Sequence, residues 1–110
     1  MDNFSEKLNE KRRQLDSNPE DFDANFGMGD VYYQEGERSY NQANGYSDQQ
    51  DEKKTLLNTG HKMLEDSMPY FEKAFNLKPT RNEAYSRLES VYTKLNLNEK
   101  IKGINERIRD

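Results

Sequence analysis

The 110-residue chain has no cysteine and no tryptophan, a single histidine and three prolines. Without cysteine there is no disulfide framework, no thiolate metal site and no cysteine nucleophile. With one histidine, His61, no imidazole cluster is available either. Long apolar runs are also missing: mean hydropathy is strongly negative, and no stretch approaches the roughly 20 apolar residues of a membrane-spanning helix. The opening Met1-Asp2-Asn3-Phe4 carries no charged region followed by an apolar one. These traits describe a soluble chain without membrane insertion, in a compartment the sequence does not name. A basic block is absent as well. Lys and Arg are interspersed among a slight excess of Asp and Glu, for a net charge of −4, so the footprint that would hold a phosphate backbone is lacking and nucleic acid is not an expected partner. β-Branched residues are few while Glu, Lys, Asn, Gln and Asp are abundant, which favours helix over strand. The low apolar fraction suits a thin two-layer helical stack better than a thick globular core.

What the chain does contain is itself, displaced by about 60 residues. Pro19, Ala24, Met28, Val31 and Tyr32 return as Pro79, Ala84, Leu88, Val91 and Tyr92, four of the five unchanged. A self-match at fixed offset means that one supersecondary unit has been stacked. Asn25-x-x-Met28-Gly29-x-x-Tyr32 and Tyr85-x-x-Leu88-Glu89-x-x-Tyr92 follow the first-helix pattern of a tetratricopeptide repeat (TPR), and Ser67-x-x-x-Phe71-x-x-Ala74 closing on Pro79 follows the second-helix pattern. The chain thus resembles the TPR family over most of its length outside roughly residues 37–66. The resemblance implies an all-α, antiparallel helical solenoid of about five helices, forming a single domain over residues 1–110. A repeat of this kind spans about 34 residues, so an offset near 60 implies about 26 inserted residues.

Residues 3–17 map onto the later second helix, with Phe4, Leu8 and Leu15 matching Leu64, Met68 and Phe75. They read as the second helix of a truncated repeat. Lys11 falls where the later copy has Phe71. Residues 20–79 form a full repeat with an inserted hairpin over about 37–66, whose packing residues are expected outside the insertion. Its first helix starts near Asp21 and continues past Gly36 to about Asn44, since residues 36, 40 and 43 keep one face small or apolar, with a kink or break at Gly36 as the competing reading. Asn44-Gly45 is a left-handed stop signal, and Ser47-x-x-Gln50 can serve as a capping box. A long second helix follows, with a bend expected one turn before Pro69. Residues 80–110 form the last repeat and cap, with Ile101, Ile104 and Ile108 as its apolar stripe and Lys100, Lys102, Glu106, Arg107 and Arg109 facing water.

No motif for chemistry survives inspection. His61 and Glu65 could offer two ligands from one helix face, but a metal site needs more. Phe26-Gly27-Met28-Gly29 falls inside a helix and not after a strand, so it is no phosphate loop. Acidic pairs such as Glu65-Asp66 lack the desolvated pocket that separates two pKa values. No enzyme activity, cofactor or metal is expected. Tyr32, Phe71, Phe75, Tyr85 and Tyr92 are expected in the core. The resemblance instead implies a concave face lined by first helices, where a partner protein or peptide would bind: Phe26, Asp30, Tyr33 and Gln34 from one repeat, and Ser86, Arg87, Ser90 and Lys94 from the next. Phe26 and Tyr33 are the expected anchors, since aromatics dominate interface energetics. Carboxylate-clamp binding is not carried over, because Phe26 and Asp30 stand where that clamp would need Lys and Asn, and only Arg87 fits. The rival readings are a structural or weakly self-associating module that uses the hairpin or the amino-terminal face, and a regulatory appendage of a larger protein.

Overall fold

The computed structural model describes residues 3–109. Of these, 83% are helical and none is in a strand, so the all-α expectation holds. Five helices follow in order: α1 (Asn3–Ser17), α2 (Phe22–Ala43), α3 (Asp51–Leu77), α4 (Asn82–Lys94) and α5 (Asn98–Arg109). The expected position of the Arg109 side chain lies outside the described residues.

Local chemistry accounts for most boundaries. Asp21 caps α2, its carboxylate accepting from Ala24 N at 2.9 Å. Asn96 takes a left-handed φ of 59° after α4, and the bonds Asn96 N to Thr93 O and Leu97 N to Tyr92 O close the helix end as a Schellman motif. Two expectations need correction. Asn44 stays right-handed, and α2 ends by tightening, with Gly45 N and Tyr46 N donating to Gln42 O and Ala43 O. Only half of the capping box forms: Ser47 N donates to Gln50 Oε1 at 2.7 Å, but α3 starts at Asp51 with Gln50 as its N-cap. As expected, α3 is one long helix through Pro69, with Ser67 Oγ donating to Leu64 O at 2.6 Å in the preceding turn.

Helices adjacent in sequence run antiparallel. Phe4 meets Tyr32 while Lys11 lies along Gly27; likewise Gly29 faces Phe71 while Gly36 faces Gly60. The α2–α3 contact is the most extensive, and its closeness requires glycine. A Cβ on Gly29 would come within 2.8 Å of the Phe71 ring, and one on Gly60 within 2.8 Å of the Tyr40 ring. Phe71 and Phe75 from α3, Leu88, Val91 and Tyr92 from α4, and Ile104 from α5 form the buried cluster. Tyr32 and Tyr85 are only half-buried, and Ile108 is 47% exposed, so the core is narrower than the aromatic and isoleucine stripes suggest. α2 and α4 lie side by side and parallel, since Asp23, Asp30 and Glu37 meet Arg81, Arg87 and Lys94 in turn.

The 60-residue offset recurs in the geometry. Asn18 N bonds to Gln14 O and Asp21 N to Asn18 O, and the same bonds reappear as Lys78 N to Ala74 O and Arg81 N to Lys78 O. Tyr32 sits by Arg12 as Tyr92 sits by Glu72. The α1–α2 and α3–α4 junctions thus share their turn bonds and one helix-to-helix contact. The molecule is a slab of 45 × 35 × 15 Å. At 1.5 Å per residue α2 and α3 are about 33 and 40 Å long against about 20 Å for α4, so their far ends overhang. That overhang is not free of the core: Ser39, Ala43, Gly60 and Leu64, all within 37–66, are buried. The expectation that all packing residues lie outside the insertion is corrected accordingly.

Candidate functional site

Seven of the eight residues expected on the concave face divide between two places, with Asp30 bordering both. The first is the seam between α2 and α4. There Tyr33 Oη and Ser90 Oγ are hydrogen-bonded at 2.8 Å, Arg87 Nε donates to Asp30 at 2.9 Å, and Lys94 pairs with Glu37. The Arg87 guanidinium also stands 4.7 Å from the Tyr33 ring centre. Tyr33, expected as a binding anchor, therefore has its hydroxyl and one ring face engaged within the molecule, its ring edge-on to Phe71. Ser86 is exposed on α4.

The second place is an open cleft of about 690 Å³ between α1 and α2. Phe26, Asp30 and Gln34 line it from α2, and Phe4, Lys7 and Lys11 from α1. Its walls follow from the helix pattern: positions 23, 26, 27, 30, 31, 34, 35 and 38 of α2 all reach it, and that spacing is one helical stripe. Phe26 is held in place by its neighbours, stacked on Phe22 at 5.7 Å and tilted against Phe71 at 5.3 Å. The leading helix borders Phe26 without covering it. Gln34 donates to Asp30 at 2.7 Å, which aligns both along the floor.

Sequence reasoning missed Gly27 and Lys11 as cleft residues. The signal was present, because Lys11 departs from its counterpart Phe71, and Gly27 from its counterpart Arg87. Asn25 was also missed as a buried clamp. Its Nδ2 donates to Pro19 O at 3.0 Å and to Asp21 O at 2.8 Å, tying the α1–α2 turn to α2.

A smaller recess of about 240 Å³ lies by Tyr40, His61 and Lys94. His61 Nδ1 donates to Leu57 O at 2.7 Å, and its ring stands edge-on to Tyr40. The buried Tyr40 Oη has no hydrogen-bond partner. Among the described residues no group of three or more His, Cys, Asp or Glu is arranged to hold a metal ion. No helix among them is long and apolar enough to cross a membrane.

The perturbed tyrosines share a cause. Burial pushes the phenols of Tyr32, Tyr40, Tyr85 and Tyr92 up; Tyr92 is raised furthest, with the hydrogen bond to the Glu72 carboxylate adding to desolvation. An unfolded tyrosine titrates near pH 10. Above that pH the unfolded chain loses phenolic protons that the folded chain retains, so stability present below about pH 10 is lost as pH rises towards the folded-state values. Thermal midpoints are expected to fall above about pH 10, and Tyr92→Phe to fall less steeply. Parallel slopes for the two proteins would show that Tyr92 is not the titrating group.

Comparison with protein-family models, with curated proteins and with solved structures returns no match for this chain.

Proposed function

We propose that this chain is a non-catalytic protein-interaction module, a TPR-like helical solenoid that binds a partner protein or peptide beside the first helix of its full repeat. The observation that carries this reading is the α1–α2 cleft, the larger of the two recesses described above, which gathers three of the eight expected binding residues along one stripe of α2. Four of the other five expected residues support it indirectly. Tyr33, Arg87, Ser90 and Lys94 tie α2 to α4, and a preorganised surface loses less entropy on binding.

The test is capture of a partner from native lysate by the wild-type chain and by two variants. Gln34→Trp, at an exposed position on the cleft floor, is expected to abolish capture while leaving helicity and thermal midpoint unchanged. Phe26→Ala is expected to weaken binding by about 1 to 4 kcal/mol. Tyr46→Ala, at the exposed hairpin tip, should have no effect. Capture lost with Tyr46→Ala and kept with Gln34→Trp would move the site to the hairpin.

A further inference from the structure

One motif of the chain serves neither the core nor the cleft. Of the twelve asparagines, Asn44 is the one followed by glycine. Because Gly45 has no side chain, its main-chain nitrogen can approach the Asn44 carboxamide closely. Several other asparagines are held in place: Asn25 donates to Pro19 O and Asp21 O, Asn76 accepts from Arg107, and Asn105 accepts from Tyr85. Among the described residues the Asn44 carboxamide has no such partner.

Tertiary packing does not restrain the pair either. Residues 44–50 are all exposed, and a Cβ on Gly45 would meet only Gln42 O, at 3.4 Å. What holds the pair is the tightened end of α2. Asn44 takes φ −64° and ψ −16°, and Gly45 N donates to Gln42 O at 3.1 Å. That bond occupies the proton which the nitrogen must lose before it can attack. It lies in the last, exposed turn of a helix, where opening costs little free energy.

We infer that Asn44 is a modification site, deamidated by its own main chain at a rate set by the opening of this turn. Once the Gly45 N–H leaves Gln42 O and gives its proton to a solvent base, the nitrogen attacks Asn44 Cγ. The new N–Cγ bond closes a five-membered imide, and the side-chain nitrogen takes a proton from solvent and leaves as ammonia. Water then adds to one of the two imide carbonyls. Cleavage of the N–Cγ bond gives aspartate. Cleavage between the nitrogen and the Asn44 main-chain carbonyl carbon gives isoaspartate, whose main chain runs through Cβ and Cγ. Nothing is oxidised or reduced: one water is consumed and one ammonia released.

The position of Asn44 gives the reaction a structural consequence. Either product sets a negative charge beside the last carbonyls of α2, the negative end of the helix dipole. Isoaspartate also adds one carbon to the main chain ahead of Gly45 N, which carries Gly45 N and Tyr46 N away from Gln42 O and Ala43 O. Ala43 is fully buried, so the loosening begins at the edge of the α2–α3 contact.

The full chain is incubated in mildly alkaline buffer and its asparagines are followed by peptide mapping, with electron-transfer fragmentation to separate isoaspartate from aspartate. Asn44 is expected to convert ahead of every other asparagine, and to both products. In Gly45→Ala the added methyl meets Gln42 O at an ordinary contact distance, so the fold is kept, while conversion should slow at least about tenfold. Urea sufficient to unfold the chain should speed wild-type conversion at least about tenfold, since it removes the bond to Gln42 O. Isoaspartyl chains purified by chromatography should exchange the amide hydrogens of Gly45 and Tyr46 faster than unmodified chains. Aspartate as the sole product would mean direct hydrolysis and overturn the inference. An unconverted Asn44, another asparagine converting first, or an unchanged rate in Gly45→Ala would overturn it as well. A rate unchanged by urea would remove the helix end as the gate, and unchanged amide exchange would remove the structural consequence.

Discussion

Phe71→Ala is expected to destabilise the fold by about 3 to 5 kcal/mol, the range for truncating a buried phenylalanine, out of the roughly 5 to 15 kcal/mol that small domains possess. The upper half of that cost is the relevant one here. Phe71 is fully buried, Phe26 and Tyr33 rest their rings on it, and Gly29 approaches it so closely that no other residue fits there. Removing the ring leaves a cavity bounded by helix backbone on one side and by two partly exposed aromatics on the other. The backbone cannot collapse into it. A lowered urea midpoint is therefore expected, together with loss of the near-ultraviolet signal of the tyrosines around it. Gly29→Ala is the converse, since it keeps the ring but pushes it off its seat. A Phe71→Ala variant with an unchanged midpoint would mean that α2 and α3 do not pack as described.

Excision of residues 37–66, with the two helices rejoined by a short turn, is expected to abolish cooperative unfolding. Outwardly the insertion looks dispensable, because it lengthens a hairpin that overhangs its neighbours. Yet it contributes Leu64 to the central cluster, and Ser39, Ala43 and Gly60 are buried along the extended contact. Loss of a buried leucine side chain alone costs about 2 to 5 kcal/mol, and the excision also removes Glu37 from Lys94 and Tyr40 from beneath the same ammonium. Melting followed by circular dichroism is expected to broaden without a defined midpoint. A sharp transition would show that the overhang is an independent appendage.

The helices were legible because each is announced locally. Asp21 before an apolar stripe, Pro79 after one, and Asn96 at a left-handed turn are short-range signals read by the backbone itself. Boundaries failed where two local signals competed. Ser47 and Gln50 suit a capping box, but Asp51 and Glu52 suit a first turn by placing negative charge at the helix amino terminus, and α3 starts there. That Phe26, Asp30 and Gln34 share one stripe of α2 was legible from helical spacing, while the separation of a closed seam from an open cleft was not. Tyr33 and Ser90 are 57 residues apart, and nothing in either neighbourhood announces that their hydroxyls meet.

The sequence by itself determined the all-helical class, the approximate spans of the five helices, and the 60-residue correspondence, because these depend on periodicity, capping and composition within a few turns of chain. Only the tertiary structure decided which polar residues face one another and which face water. Arg87 looked like a groove cation until α2 brought Asp30 to 2.9 Å from it, and Lys11 was only a departure from its counterpart Phe71 until Gly27 gave it a surface to cross. The reason is that a charged side chain carries no local preference for its partner. Its environment is set by the approach of helices, and that approach is governed by the fit of Gly29 to Phe71 and of Gly60 to Tyr40, contacts between residues far apart in the chain.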